Sequence, residues 1–237
     1  MNILFLDTET TDIGPTARLI QLAYKNPATG ETINEYFKPP VPISFGSMAV
    51  HHVTNEMVAD KPVFEGSEQR SVINELLSTH MLVAHNAPFD MGILKNEGVE
   101  TKNFIDTLRV ARHLIENAEQ HKLQYLRYFL GLKVEGSAHD ALGDILVLEQ
   151  LFAYLKNLIA KNSGFETDEE ILERMILLTK TPILLKTFTF GKYKDMTFEE
   201  VARKDTGYLK WLLNSESQKK EFEQNEELVY TLRHYTQ

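Results

Sequence analysis

Apolar and polar positions along the chain fall into blocks of different period. Residues 3–6, ILFL, form an unbroken apolar run that ends on Asp7-Thr8-Glu9. With β-branched and aromatic residues and no breaker, residues 2–8 predict a strand, whose alternation puts Asp7 and Glu9 on the face of Ile3 and Phe5. Leu19–Tyr24 and Thr32–Phe37 read as two more strands around the turn NPATGE, and PPVPIS ends the series. Sequential strands joined by tight turns predict an antiparallel meander.

The period then changes. Residues 65–79 predict a helix, MLVA (81–84) a short buried strand, and Asn86 a cap for a helix that runs to about Glu97 and stops at Gly98. NFIDTL holds another short strand, and helical patterns follow at 107–116 and 122–130. This β-α-β-α order predicts mutually parallel strands. From Ser137, with Asp140 three residues on, a helix is expected to about Lys161. Leu148, Leu151, Leu155 and Leu158 make one apolar stripe, and four residues back along it stands Asp144, an acid where a core leucine is expected. NSGF (162–165) reads as a linker. Capping boxes at Thr167/Glu170 and Thr197/Glu200 start two later helices, Pro182 breaks the chain, and residues 186–190 read as a strand.

Acids at the edges of apolar elements therefore recur at Asp7, Glu9, Asp90 (in HNAPFD) and Asp144. Taken singly, the Asp-x-Glu pair reads as a turn or helix cap, Asp90 as a first-turn acid favoured by the helix dipole, and Asp144 as a polar position on a misjudged face. Taken together, four converging carboxylates repel one another and lose water, which two divalent cations would offset. Mg²⁺ prefers oxygen donors and binds through a few carboxylates plus substrate phosphate.

Composition narrows the class. The chain has 237 residues, 43% hydrophobic, which suffices for one or two domains. There is no apolar run of membrane-spanning length, MNILFLDTET does not read as a signal peptide, and there is no cysteine, which excludes disulfides and thiolate metal sites. A cytoplasmic location is the expectation. Net charge is −9. Proteins that bind nucleic acid by bulk charge are basic, so any such contact here has to be local or metal-assisted.

FLDTETT, LVAHNAPFD and HDALGD, in that order, resemble the three motifs of the DEDD exonuclease superfamily, in the subtype with a histidine in the third motif, a group that includes the proofreading epsilon subunit of DNA polymerase III. VHHVT (50–54) and NFIDTLRVAR (103–112) resemble the intervening segments, and residues 187–215 resemble the tail of the exodeoxyribonuclease X group, with Thr206 where that group has proline. The resemblance implies an α/β fold, a ribonuclease H-like five-stranded mixed sheet with flanking helices, plus a small C-terminal α+β domain. The expected division is an exonuclease domain at 1–161, a linker and helix at 162–182, and the small domain at 183–237.

The resemblance also implies a metal-dependent 3′→5′ exodeoxyribonuclease acting on DNA 3′ ends, single-stranded or duplex, and releasing nucleoside 5′-monophosphates in repair. Its metal would be two Mg²⁺ ions, with Mn²⁺ as substitute. Asp7, Glu9 and Asp144 would hold the first ion; Asp7 would also touch the second, and Asp90 would hold that one through water. His139 would take the proton of the attacking water. Thr10, His51, Ile13 and Asn86 are the candidate substrate contacts. Three of them have a second reading: His51 as a plain surface histidine, Asn86 as a helix cap, and Ile13, in TTDIGP, as a loop anchor tucked into the core rather than a wedge that frays a duplex end. A proofreading subunit, an RNA exonuclease and a non-catalytic nucleic-acid-binding module are the competing functions. Residues 180–194 hold four lysines and no acid, interleaved with Phe188, Phe190 and Tyr193, and read either as a phosphate contact or as a hydrophobic strand with solvated lysines.

Overall fold

Why the first strand can end on two acids becomes clear from what each of its faces covers. In the computed structural model, which describes residues 1–134, 141–165, 167–220 and 224–237, β1 spans Ile3–Thr10, β2 Leu19–Lys25 and β3 Thr32–Tyr36. β1 pairs antiparallel with β2, and β2 with β3, as the tight turns predict. β4 (Met81–Ala84) and β5 (Phe104–Asp106) add parallel strands on the other side of β1, giving the order β3-β2-β1-β4-β5. The mixed five-stranded sheet is the expected one, with β1 at its centre.

The helices cover both faces. α1 (Phe45–His51), a seven-residue helix, was not signalled by the sequence; Ser44 caps it. α2 spans Glu68–Thr79, α3 Ala87–Asn96, α4 Thr107–Leu114 and α5 Leu123–Phe129. α6 runs from Ala141 to Ser163 and α7 from Asp168 to Lys180. The expected cap at Ser137 and its partner Asp140 lie outside the described residues.

Two cores result. Leu4 and Leu6 of β1 pack with Tyr24, Ile73, Leu77, Leu82 and Leu94 on the side of α2 and α3. Phe5, with Ile3 beside it, packs on the opposite side against the α6 stripe Leu148, Leu151 and Leu155; Phe5 meets Phe152 edge-on at 5.3 Å. The stripe ends on buried Ile159 rather than on Leu158, which is only partly buried. Two ion pairs pin distant elements. Glu97, after α3, takes a two-pronged contact from Arg18 at 2.8 and 2.9 Å, and Lys25 on β2 meets Glu149 on α6 at 2.6 Å.

α7 contributes Ile171, Leu172, Met175 and Leu178 to the α6-side core, and its capping box at Thr167 and Glu170 is formed. The first compact unit accordingly runs from Met1 to Thr179, past the expected limit of 161, and the second from Lys180 to Gln237.

The second unit holds α8 (Phe198–Lys204), α9 (Thr206–Ser217) and α10 (Glu226–Thr236) around Phe188, Phe198, Val201, Leu209, Leu212, Leu228 and Leu232. Thr197 and Glu200 form the predicted capping box. The strand expected at 186–190 is reduced to one bridge, Thr187 with Thr197. The alternation misled because Phe188 enters the core while Phe190, of the same parity, stays out. With Thr206 at its first position α9 is still capped: Asp205 accepts from the Tyr208 amide at 3.0 Å, and the Thr206 hydroxyl donates to the Ala202 carbonyl.

Candidate functional site

β1 delivers acids to one face and hydroxyls to the other. Asp7 and Glu9 follow Ile3 and Phe5 toward α6, where Asp144 occupies the first turn. One carboxylate oxygen from each of Asp7, Glu9 and Asp144 lies within 4.8 Å of the other two. The spacing on the α6 stripe thus did mark Asp144 as turned toward the sheet. Gln124 on α5 donates an amide hydrogen to the Asp144 carboxylate, a contact with no signal in the sequence.

Asp90 is not in that triplet. It sits in the first turn of α3, 3% exposed, and accepts from the Thr8 hydroxyl at 2.8 Å. Burial pushes its carboxyl up to about 7, against the opposing effect of the Thr8 hydrogen bond. Thr8 stands between Asp7 and Glu9 in sequence, so the fourth acid is tied to the same strand. The α3 start is set from a distance. Asn86, in the left-handed region with φ 73°, makes no side-chain cap; its amide and that of Ala87 donate instead to Asp106, which also caps α4 through the Leu108 amide. The expected Asn86 cap is therefore replaced by Asp106, 20 residues away, and the Asn86 side chain is exposed.

A cleft of about 400 Å³ adjoins the acids. Glu9, Thr8, Thr10, Ile13, His51 and Phe89 are among the residues that line it. Thr10 spends its hydroxyl on the Asp12 carbonyl at 2.7 Å. His51 is not a surface histidine. It is buried, its Nδ1 accepts from the Val53 amide at 3.0 Å, and Nε2 therefore carries the proton and faces the Thr10 carbonyl at 3.3 Å. Burial lowers its pKa, keeping the ring neutral. Ile13 is 85% exposed, so it is not tucked into the core. Asn86 does not line this cleft. His139 lies outside the described residues.

Residues 4–152 match the exonuclease family, and residues 188–217 match the exodeoxyribonuclease X-like C-terminal family. The chain belongs to the exonuclease family. It is 32% identical over 236 residues to exodeoxyribonuclease 10 of Escherichia coli (strain K12), covering 97% of this chain and 96% of that protein. DNA polymerase III subunit epsilon of Buchnera aphidicola is 31% identical over 170 residues, covering 63% of this chain and 70% of the relative. Among solved structures, exonuclease X in complex with 5′ overhanging duplex DNA superposes with a TM-score of 0.57 at 27% identity, over 75% of this chain and 99% of that one. The fold is therefore the ribonuclease H-like exonuclease fold, and the chain is a nuclease, a hydrolase by class. The family depends on divalent metal ions, and the acidic triplet supplies the matching donors. No helix among the described residues is long and apolar enough to cross a membrane.

Proposed function

We propose that the chain is a metal-dependent 3′→5′ exodeoxyribonuclease that removes nucleoside 5′-monophosphates from DNA 3′ ends in DNA repair, in the cytoplasm. The observation that carries this reading is the convergence of Asp7, Glu9 and Asp144 beside a cleft bordered by Glu9. Three carboxylate oxygens within 4.8 Å fit one small divalent cation, because hard oxygen donors suit Mg²⁺ or Mn²⁺ and crowded like charges need one.

Asp7, Glu9 and Asp144 would hold the ion, and Asp90 would assist a second through water. Bound divalent ions supply Lewis acidity toward water and the scissile phosphate. Gln124 keeps the Asp144 carboxylate turned to the cluster, and Thr8 fixes the Asp90 carboxyl by its hydroxyl. His139 would accept the proton of the attacking water, a task suited to a side chain that titrates near neutrality. Thr10 and His51 would wall the terminal nucleotide, and exposed Ile13 would press against the last base pair of a duplex end. Asn86 keeps only a backbone role, through its amide on Asp106.

The likeness to epsilon subunits favours a second reading, a polymerase proofreading subunit. The match of residues 188–217 to the exodeoxyribonuclease X-like tail supports the free-standing enzyme instead. The test is cleavage of 3′- and 5′-labelled DNA and RNA strands with Mg²⁺, Mn²⁺ or chelator. Stepwise shortening from the 3′ end of DNA by the isolated chain, abolished by chelator, is expected. Cleavage that survives chelation, or that proceeds only from the 5′ end, overturns the proposal. Activity confined to RNA refutes the choice of substrate.

A further inference from the structure

Among the described residues of the C-terminal unit a connected group of aromatic rings reaches into solvent, and the only tryptophan of the chain belongs to it. Trp211, on α9, is 60% exposed, and Phe190, before the Gly191 turn, is 42% exposed. Neither is a stray surface residue. Trp211 leans on Tyr208 with ring centroids 5.6 Å apart; Tyr208 meets Phe188 edge-on at 6.1 Å; Phe188 meets Phe190 edge-on at 6.1 Å. The two exposed rings are thus the outer members of one connected array whose inner members, Phe188 and Tyr193, are buried. The array is built closely. Gly191 has φ 71°, and a Cβ there would stand 2.8 Å from the Tyr208 hydroxyl. Rings held by rings lose little freedom when something stacks on them.

Cations border the same array. Lys192 lies 4.7 Å over the Tyr193 ring, its Nζ also meeting Asp205 at 3.3 Å, and Lys204 lies 5.8 Å from the ring. Lys194 and Lys210, next to Tyr193 and Trp211 in sequence, are exposed. Residues 180–194 hold four lysines and no acid in a chain whose net charge is −9. A face for a greasy protein partner needs no such lysines, and a solvated lysine cluster needs no exposed tryptophan. Flat rings for bases together with cations for phosphates are what a single nucleic-acid strand requires.

We infer that this face of the C-terminal unit is a single-stranded DNA-binding surface, in which Trp211 and Phe190 stack on bases while Lys192, Lys194, Lys204 and Lys210 meet phosphates. This is a second site, separate in sequence from the carboxylates and independent of their chemistry. It binds by stacking and charge, without reading sequence.

The test uses the full chain in chelator, so that DNA is bound but not degraded, with a 12-nucleotide oligo-dT as probe. Emission from the single tryptophan reports the site directly. Saturable quenching is expected, with half-saturation moving to higher DNA as salt rises, at a log-log slope of about −0.7 per phosphate contact. Anisotropy of a fluorescein-labelled oligo-dT should show Trp211→Ala binding about 5- to 150-fold more weakly, the range for losing one base stack, and Trp211→Phe restoring most of the loss. Because Trp211 is exposed, neither change touches the core. Full binding by anisotropy with unmoved tryptophan emission, or equal affinity for wild type and Trp211→Ala, overturns the inference and assigns the face to another partner. None of these readouts requires cleavage, so failure of the exonuclease reading leaves them interpretable.

Discussion

Asp90 should make the metal-free protein less stable as pH rises, an effect that can be isolated with one substitution. Its carboxyl is fully enclosed, and burial holds its pKa at about 7 against the ordinary 3.8. Below 3.8 both folded and unfolded chains carry the proton. Between 3.8 and about 7 the unfolded chain gives it up while the folded one keeps it, so the unfolded state gains. Above about 7 the folded chain carries a buried anion and the full cost is present. At about 1.36 kcal/mol per pH unit the whole interval amounts to about 4 kcal/mol, a large part of the roughly 5–15 kcal/mol that holds a typical domain. Between pH 5 and pH 8 the part still to be lost is about 2–3 kcal/mol.

Asp90→Asn removes the titration but keeps an oxygen to accept from the Thr8 hydroxyl. The amide adds a cost of its own, which does not vary with pH, so only the slope matters. Urea unfolding in chelator at pH 5 and pH 8 should show wild type losing about 2–3 kcal/mol more than Asp90→Asn over that interval. Saturating Mg²⁺ at pH 8 should return most of this to wild type and much less to the variant, since a cation near the anion offsets its burial. Profiles of wild type and variant that stay parallel within about 0.5 kcal/mol across the interval would show that Asp90 is ionised at little cost, and the burial argument would fail.

Asp7→Asn or Asp144→Asn should abolish Mg²⁺-dependent DNA cleavage while leaving metal-free stability unchanged or raised, since each relieves repulsion within the triplet; near wild-type cleavage by either would refute the ligand assignment. His139→Ala should lower single-turnover rate by roughly 10²–10⁴ with metal affinity kept, the usual scale for a positioned base; lost metal affinity at an unchanged rate would make it a ligand instead. Arg18→Met should cost about 3 kcal/mol, the low end for breaking a buried pair, because it leaves Glu97, whose side chain is 3% exposed, with the Leu19 amide at 3.1 Å but without its guanidinium. Adding Glu97→Gln should recover part of that, and a loss below about 0.5 kcal/mol for Arg18→Met alone would show the pair to be idle.

What could be seen in advance depended on how far apart the cooperating residues lie in the chain. The strands β1, β2 and β4 were legible because an apolar run reports burial residue by residue, and Asp144 was legible because a broken 3.6-residue stripe has a definite direction. α1 was missed because its buried positions are Ser47 and His51, so it carries no apolar stripe to report a helical period. The tail strand was misread because equal parity implies equal burial only if the chain stays extended, and Gly191 turns it immediately after Phe190. Gln124 and Asp106 were invisible for another reason. Each acts on a residue 20 positions away, and a lone glutamine on a helix or an aspartate at a strand end looks the same with or without that partner. Asn86 illustrates the cost: its position at the helix start was read correctly, but the anion that satisfies the helix amides comes from Asp106.

The parity of β1 explains why these misses leave the site intact. Ile3, Phe5, Asp7 and Glu9 point one way, so the residues that anchor β1 to α6 and the acids that meet Asp144 are set by one alternation. Leu4, Leu6 and Thr8 point the other way, so the second core and the hydroxyl that holds Asp90 are set by the same one. A slip of one residue would send Leu4 and Leu6 to the α6 side and both acids into the opposite core, costing burial on both faces at once. The hydrophobic registration that folds the sheet is thus also what aims the carboxylates. An inserted residue within 3–8 should therefore abolish folding before it can yield a folded protein without activity, whereas loss of an acid at either end of the register should do the reverse.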